Sequence, residues 1–112
     1  MGAEKIRELN DAFRLGTRPE LGRIMITSGA RDAVAAWPLG VMLLHAKVRA
    51  FNSFTNDNDP HGEHDFGSFT HVDQKFFWKI DYYDKAMEFG SEDPGDETKT
   101  TRVLTIMLTS EY

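Results

Sequence analysis

Between Asn56 and Asp65 the chain reads NDNDPHGEHD: four carboxylates, two histidines, two asparagines, one proline and one glycine, with no lysine or arginine. Such residues can ligate a metal, move protons or present fixed negative charge. Asp57, Asp59, His61 and Gly62 stand at places one, three, five and six of an EF-hand-like loop. The twelfth place is Ser68, where such a loop needs a bidentate Glu, and Pro60 disturbs the spacing, so calcium is disfavoured. His61, His64 and Asp65, with Asp81 at the end of a later strand, could instead form a zinc or manganese site. That arrangement would suit a metal-dependent hydrolase or nuclease. The same composition also builds a plain turn. Asn and Asp cap turns with their side chains, Pro60 fixes one, and Gly62 allows positive φ.

Metal-free acid–base catalysis would need two carboxylates of separated pKa in one cleft. Glu63, Asp65, Asp81 and Asp84 supply groups for it but no specific pattern. There is no GxSxG, P-loop or GxGxxG motif. The triplet Asp65–Gly67 matches the kinase DFG by chance, in a chain too short for the companion motifs. The absence of cysteine excludes thiol nucleophiles, disulfide scaffolds, zinc ribbons and iron–sulfur clusters.

The third reading is a contact surface. Asp57, Asp59, Glu63 and Asp65 are joined by Asp84, Glu88, Glu92, Asp93, Asp96 and Glu97, and only Lys85 opposes them within these segments. Carboxylates spread over a folded surface imitate the phosphates of DNA and can occupy a basic groove. The bland counterpart is a solvated face that keeps the molecule apart from its neighbours.

The charge is segregated along the chain. Residues 1–56 carry eight Lys and Arg against five Asp and Glu; residues 57–97 carry three against twelve. Five arginines, Arg7, Arg14, Arg18, Arg23 and Arg31, could make a modest basic face, but no helix-turn-helix or RRM signature accompanies them. Direct nucleic-acid binding is accordingly the weaker expectation. At 112 residues the chain is expected to be one domain, 1–112. The N-terminus lacks an apolar leader, and the run from Ala33 to Leu44 is broken by Pro38 and Gly40, well short of the ~20 residues of a membrane span. The expectation is a cytoplasmic protein without a membrane partner.

The elements that must position these groups follow from periodicity. Ile6, Leu9 and Phe13 recur at helical spacing before Gly16, predicting a helix over 3–15. RIMITS alternates and predicts a strand over 23–28. Asp32 could cap a turn of helix over 33–36. Val41, Leu44, Val48 and Phe51 share a stripe and predict a second helix over 39–53. Residues 66–71 and 75–83 read as a hairpin, with Phe76, Trp78, Ile80 and Tyr82 on one face. The polar connection that follows could hold a turn of helix near Ala86, with Arg102 paired to Asp93 or Asp96. Residues 103–109 alternate as a final strand, with a helix as the alternative. Met25, Met42 and Met107 read as core filler.

Four blocks, FNSFTNDNDPHGEHDFGSF, KFFWKIDYYD, FGSEDP and TTRVLTIMLTSEY, resemble the DUF3768 family of small bacterial proteins, a resemblance running from about Ile6 to Tyr112. It implies a compact cytosolic protein, often in a plasmid or mobile-element setting. It implies no catalytic residues.

Together these readings predict an α+β fold: a mostly antiparallel sheet of about four strands with two helices packed on one face. The favoured function is non-enzymatic: binding a protein partner with a basic surface through the ten carboxylates, as an anti-defence inhibitor or DNA mimic would, and needing no cofactor. The alternative is the metal-dependent enzyme on His61, His64, Asp65 and Asp81, with zinc or manganese. A homodimer is also open, if the final strand has a free edge.

Overall fold

A computed structural model describes residues 2–112. The chain runs α1 (Gly2–Arg14), β1 (Gly22–Ile26), α2 (Ser28–Val34), α3 (Gly40–Ala50), β2 (Phe66–His71), β3 (Gln74–Tyr83) and β4 (Thr101–Leu108), with short 3-10 turns at Pro19–Leu21 and Thr109–Glu111. α1 ends where predicted. Gly16 takes φ 84, and its N–H reaches back to the Phe13 carbonyl at 3.1 Å.

The four strands form one sheet in the order β1-β4-β3-β2. β2 and β3 are the expected hairpin, with Gly67 opposite Trp78 and Phe69 opposite Phe76. β4 lies antiparallel to β3 and places Ile106 beside Trp78 and Leu104 beside Ile80. β1 lies parallel to β4, with Ile24 opposite Leu104 and Ile26 opposite Ile106. The sheet is thus mixed, with one parallel pair, and the antiparallel majority agrees with expectation. The parallel pair has a topological cause: α2, α3 and the hairpin intervene before the chain returns, and a parallel partner needs a long crossover.

All three helices cover one face. Leu9 and Phe13 of α1, Ala30 and Val34 of α2, and Leu44 and Val48 of α3 pack on Phe76, Trp78, Ile80, Leu104 and Ile106. Phe51 and Phe54 close the end of α3 against the Trp78 ring, edge-on at 5.6 and 6.1 Å. The other face carries Lys79 and Asp81, which pair at 2.6 Å, and a small aromatic group in which Phe77 meets Phe66 at 5.0 Å and Tyr112 at 5.3 Å.

Several expectations are corrected. The helix after β1 is α2 over Ser28–Val34, not a turn over 33–36. Its N-cap is Thr27, whose Oγ1 accepts the Ala30 N–H at 3.1 Å, rather than Asp32. Glu111 accepts the Thr27 hydroxyl at 2.7 Å, a contact from the far end of the chain that fixes the cap. No helix forms near Ala86, where Met87 takes φ 60 within a turn. Met25 and Met42 are exposed, while Met107 is buried. β4 lies inside the sheet, so the last strand has no free edge for pairing across a dimer; the edges are β1 and β2.

Candidate contact surface and the buried hub beneath it

α1 carries a second stripe beside its apolar one. Arg7, Asn10, Asp11 and Arg14 recur at helical spacing, and each reaches a distant segment. Asn10 is fully buried. Its amide donates to the Glu63 carbonyl and to Tyr82 Oη, both at 2.9 Å. Its Oδ1 accepts from Arg102 Nε at 2.6 Å. Tyr82 in turn donates to Glu63 Oε1 at 2.8 Å. Arg102, also fully buried, donates through Nη2 to the Pro94 carbonyl at 2.7 Å and lies over the Tyr82 ring at 5.3 Å. Burial lowers the Arg102 pKa and raises that of the Tyr82 phenol. Arg102 therefore does not pair with Asp93 or Asp96. A buried guanidinium is held here by oxygens of a neutral amide and a peptide.

The loop from Phe54 to Asp65 is fastened by the same helix. His64 Nδ1 lies 2.9 Å from Asp11 Oδ1; a carboxylate only accepts, so the ring nitrogen donates. The His64 ring stacks on Phe54 at 3.8 Å, nearly parallel at 6°. Asp59 is buried and accepts the His64 N–H at 3.2 Å. Arg7 Nη1 donates to the Gly62 carbonyl at 3.0 Å. Arg14, on the next turn, donates from Nη1 to the carbonyls of Val48, Arg49 and Phe51, each at 3.0 Å. It thereby closes the C-terminal end of α3 with a cation.

The structure does not gather the four residues of the metal reading. His64 faces Asp11 and Asp59. Asp81 pairs with Lys79 on the opposite side of the sheet from the core, and His61 is exposed. Among the described residues, no group of three or more His, Asp or Glu is arranged to hold a metal ion. Asp65 is half-buried; burial and then the Glu63 charge push its carboxyl up.

Of the ten carboxylates of the contact reading, Asp59 is withdrawn into the loop and cannot meet a partner. Glu63 is engaged by Tyr82. Asp84, Asp93 and Asp96 accept backbone N–H groups within their own turns, from Glu88, Gly95 and Thr98. Glu97 binds the Arg18 guanidinium, which holds it below the usual carboxylate range. Asp57, Glu88 and Glu92 are exposed, with no side-chain bond among the described residues. The five-arginine face does not exist as such, because Arg14 is buried.

The hub has one topological consequence. Glu63 brings in the loop 54–65, Pro94 brings in the connection 84–100, and both end on Asn10 and Arg102. The two acidic segments are thereby drawn to the same end of the sheet. Sequence reasoning found the segments but not the hub. The signal was available in the polar spacing of Arg7, Asn10, Asp11 and Arg14.

The fold and its hub define a small α+β protein with a mixed four-stranded sheet, helices on one face and acidic loops at one end. The family described as a protein of unknown function, DUF3768, matches residues 31–111, and the chain belongs to it. α1, which carries most of the hub's polar stripe, precedes the matched residues. No curated protein and no solved structure matches the chain. No helix among the described residues is long and apolar enough to cross a membrane.

Proposed function

We propose that this protein acts by binding a partner protein through the acidic end of its sheet, with exposed carboxylates occupying a surface that otherwise binds nucleic acid. The inhibitory proteins that mobile elements direct at host defence complexes use chemistry of this kind. One observation carries the reading: the Asn10–Arg102 hub ties two separate acidic segments to one buried, hydrogen-bonded base. Fixed charges steer an oppositely charged partner and lose less entropy on binding than charges on loose loops. The ionisable groups best placed for chemistry, His64, Asp11 and Asp59, are engaged with one another in holding the loop to α1. That engagement favours a contact surface over a catalytic one.

The test uses the three carboxylates that no local turn needs. Asp57→Lys, Glu88→Lys and Glu92→Lys, combined, leave the hub untouched. Tagged protein is incubated with bacterial lysate and captured proteins are quantified by mass spectrometry. The parent is expected to enrich nucleic-acid-binding proteins. The triple reversal, raised salt or excess duplex DNA is expected to release them. Capture that is indifferent to all three would sink the proposal.

A further inference from the structure

Helix α3 is apolar on two sides. Its inner stripe, Leu44 and Val48 with Val41, belongs to the core. Its outer side presents Leu39, Met42 and Leu43, which are 64%, 65% and 46% exposed, with Trp37 just before the helix at 54%. Leu39, Met42 and Leu43 are neighbours at i, i+3 and i+4. The first turns of α3 are thus apolar on their outer side as well, while its polar residues, His45, Lys47 and Arg49, lie further along. A contiguous patch of large side chains is also unlike the single apolar residues scattered on any surface.

The backbone of Leu39 is a second, independent observation. It sits at φ 57, ψ 26, the left-handed region in which a leucine is strained and a glycine is not. Its side chain adds nothing to the core. A leucine thus stands where the backbone conformation favours glycine. The corner that presents it is stiff. The Trp37, Gly40 and Leu43 N–H groups bond the carbonyls of Val34, Trp37 and Leu39 at 3.1, 3.0 and 2.9 Å. Gly40 lies so close to the Val34 backbone that any Cβ would collide. The patch is therefore preorganised, which lowers the entropy lost on binding.

We propose that this outer face of α3 docks an amphipathic helix of a partner protein, one whose apolar stripe is flanked by Asp or Glu. Charge selects that occupant. α3 carries Lys47 and Arg49 and no acid, while Arg31 and Asp32 of α2 cancel. A second copy fits poorly. An antiparallel pairing would bring Lys47 and Arg49 to the positive end of the partner's α3, whose first turn holds no acidic residue. A membrane meets the whole molecule, whose net charge of −5 opposes an anionic surface. A helix only ~10 Å wide senses chiefly the basic residues within a Debye length of about 8 Å. The site lies on the helical layer, apart from the acidic end of the sheet, and stands whether or not that end binds a partner.

The probes are two synthetic helical peptides of about 20 residues that share one leucine stripe, the first flanked by Glu and the second by Lys. Binding is read from Trp37 emission, with Trp37→Phe subtracting the buried Trp78. The Glu peptide is expected to shift Trp37 emission to the blue and to bind at least about tenfold tighter than the Lys peptide. Met42→Glu and Leu43→Glu, both at exposed positions, should each weaken it about tenfold. Leu39→Gly should raise Tm while weakening the peptide, a combination a purely structural leucine would not give. Equal binding of both peptides, no binding, or a lower Tm for Leu39→Gly would overturn the proposal. So would a blue shift on phosphatidylglycerol vesicles alone, or a concentration-dependent dimer abolished by Leu43→Glu.

Discussion

Arg102 Nε donates to Asn10 Oδ1 over 2.6 Å, and neither side chain is open to solvent. The two residues lie 92 positions apart, so this bond ties the first helix to the last strand. Burying a cation is costly, and the bonds at Nε and Nη2 offset that cost for Arg102, whose buried Nη1 has no partner among the described residues. Asn10→Ala should therefore cost about 2–4 kcal/mol of stability, because it strands Arg102 Nε and frees Tyr82 and Glu63. Arg102→Met should cost a similar amount. The double variant should cost clearly less than the two together, since each single change already breaks the shared bond. Urea denaturation of the three variants checks this; strictly additive losses would show that the bond is not what couples the elements.

Arg14 performs a related task at the other end of the helical layer. Its one Nη1 serves three carbonyls where α3 ends, and Asp11 meets its Nη2 at 3.4 Å. Arg14→Met keeps much of the side chain's volume and removes the donors. It should lower stability by about 2–4 kcal/mol, with the last turn of α3 the first backbone to exchange its amide hydrogens. Unchanged exchange at Val48–Phe51 would mean that solvent caps this end equally well.

These two arginines show what the sequence carried and what it did not. The apolar spacing of Leu9 and Phe13, of Leu44 and Val48, and of Phe76, Trp78 and Ile80 announced the helices, the hairpin and the buried face. Periodicity reports which side of an element is buried. It does not report what lies across from a polar side chain. Arg14 read as part of an exposed basic face and Arg102 as the partner of Asp93 or Asp96, because arginine is usually at the surface, and only the closed fold shows the oxygens they serve. The parallel register of β1 on β4 was hidden for the same reason, since Ile24 and Leu104 meet across most of the chain. Asp32 was the cap expected by type, and Thr27 was placed in the strand by its alternation; in the fold Thr27 caps α2, and Glu111 from the opposite terminus accepts its hydroxyl. Met25 and Met42 misled because apolar type does not ensure burial.

Asp65 gives the pH dependence a definite sign. Burial and the Glu63 charge raise its folded pKa, so the folded chain holds this proton more tightly than the unfolded chain. Its contribution to stability is fully present below the unfolded value of about 4 and is lost as pH rises through the folded value. Asp65→Asn removes the charge whose burial is unfavourable. At neutral pH the variant should be the more stable of the two, and the difference should shrink as both are acidified. Comparing variant with parent cancels the groups that shift the other way, Glu97, Asp96 and Glu111 among them. A difference that grows in acid would show that Asp65 is stabilised by its surroundings.

His64 separates the contact reading from the metal reading. Its ring is held on one side by Asp11, stacked flat on Phe54, and its backbone N–H is fixed by Asp59. If that is its whole role, His64→Ala should cost about 2 kcal/mol, the sum of one charge-assisted hydrogen bond and one ring contact. Amide exchange should quicken through residues 54–65 while the connection 84–100, anchored independently by Arg102 on Pro94, stays protected. Partner capture should then fall in part, because the arm carrying Asp57 loosens while the arm carrying Glu88 and Glu92 keeps its geometry. The opposite pattern, with full stability kept and binding of added zinc or manganese lost, would make His64 a ligand and restore the hydrolase reading.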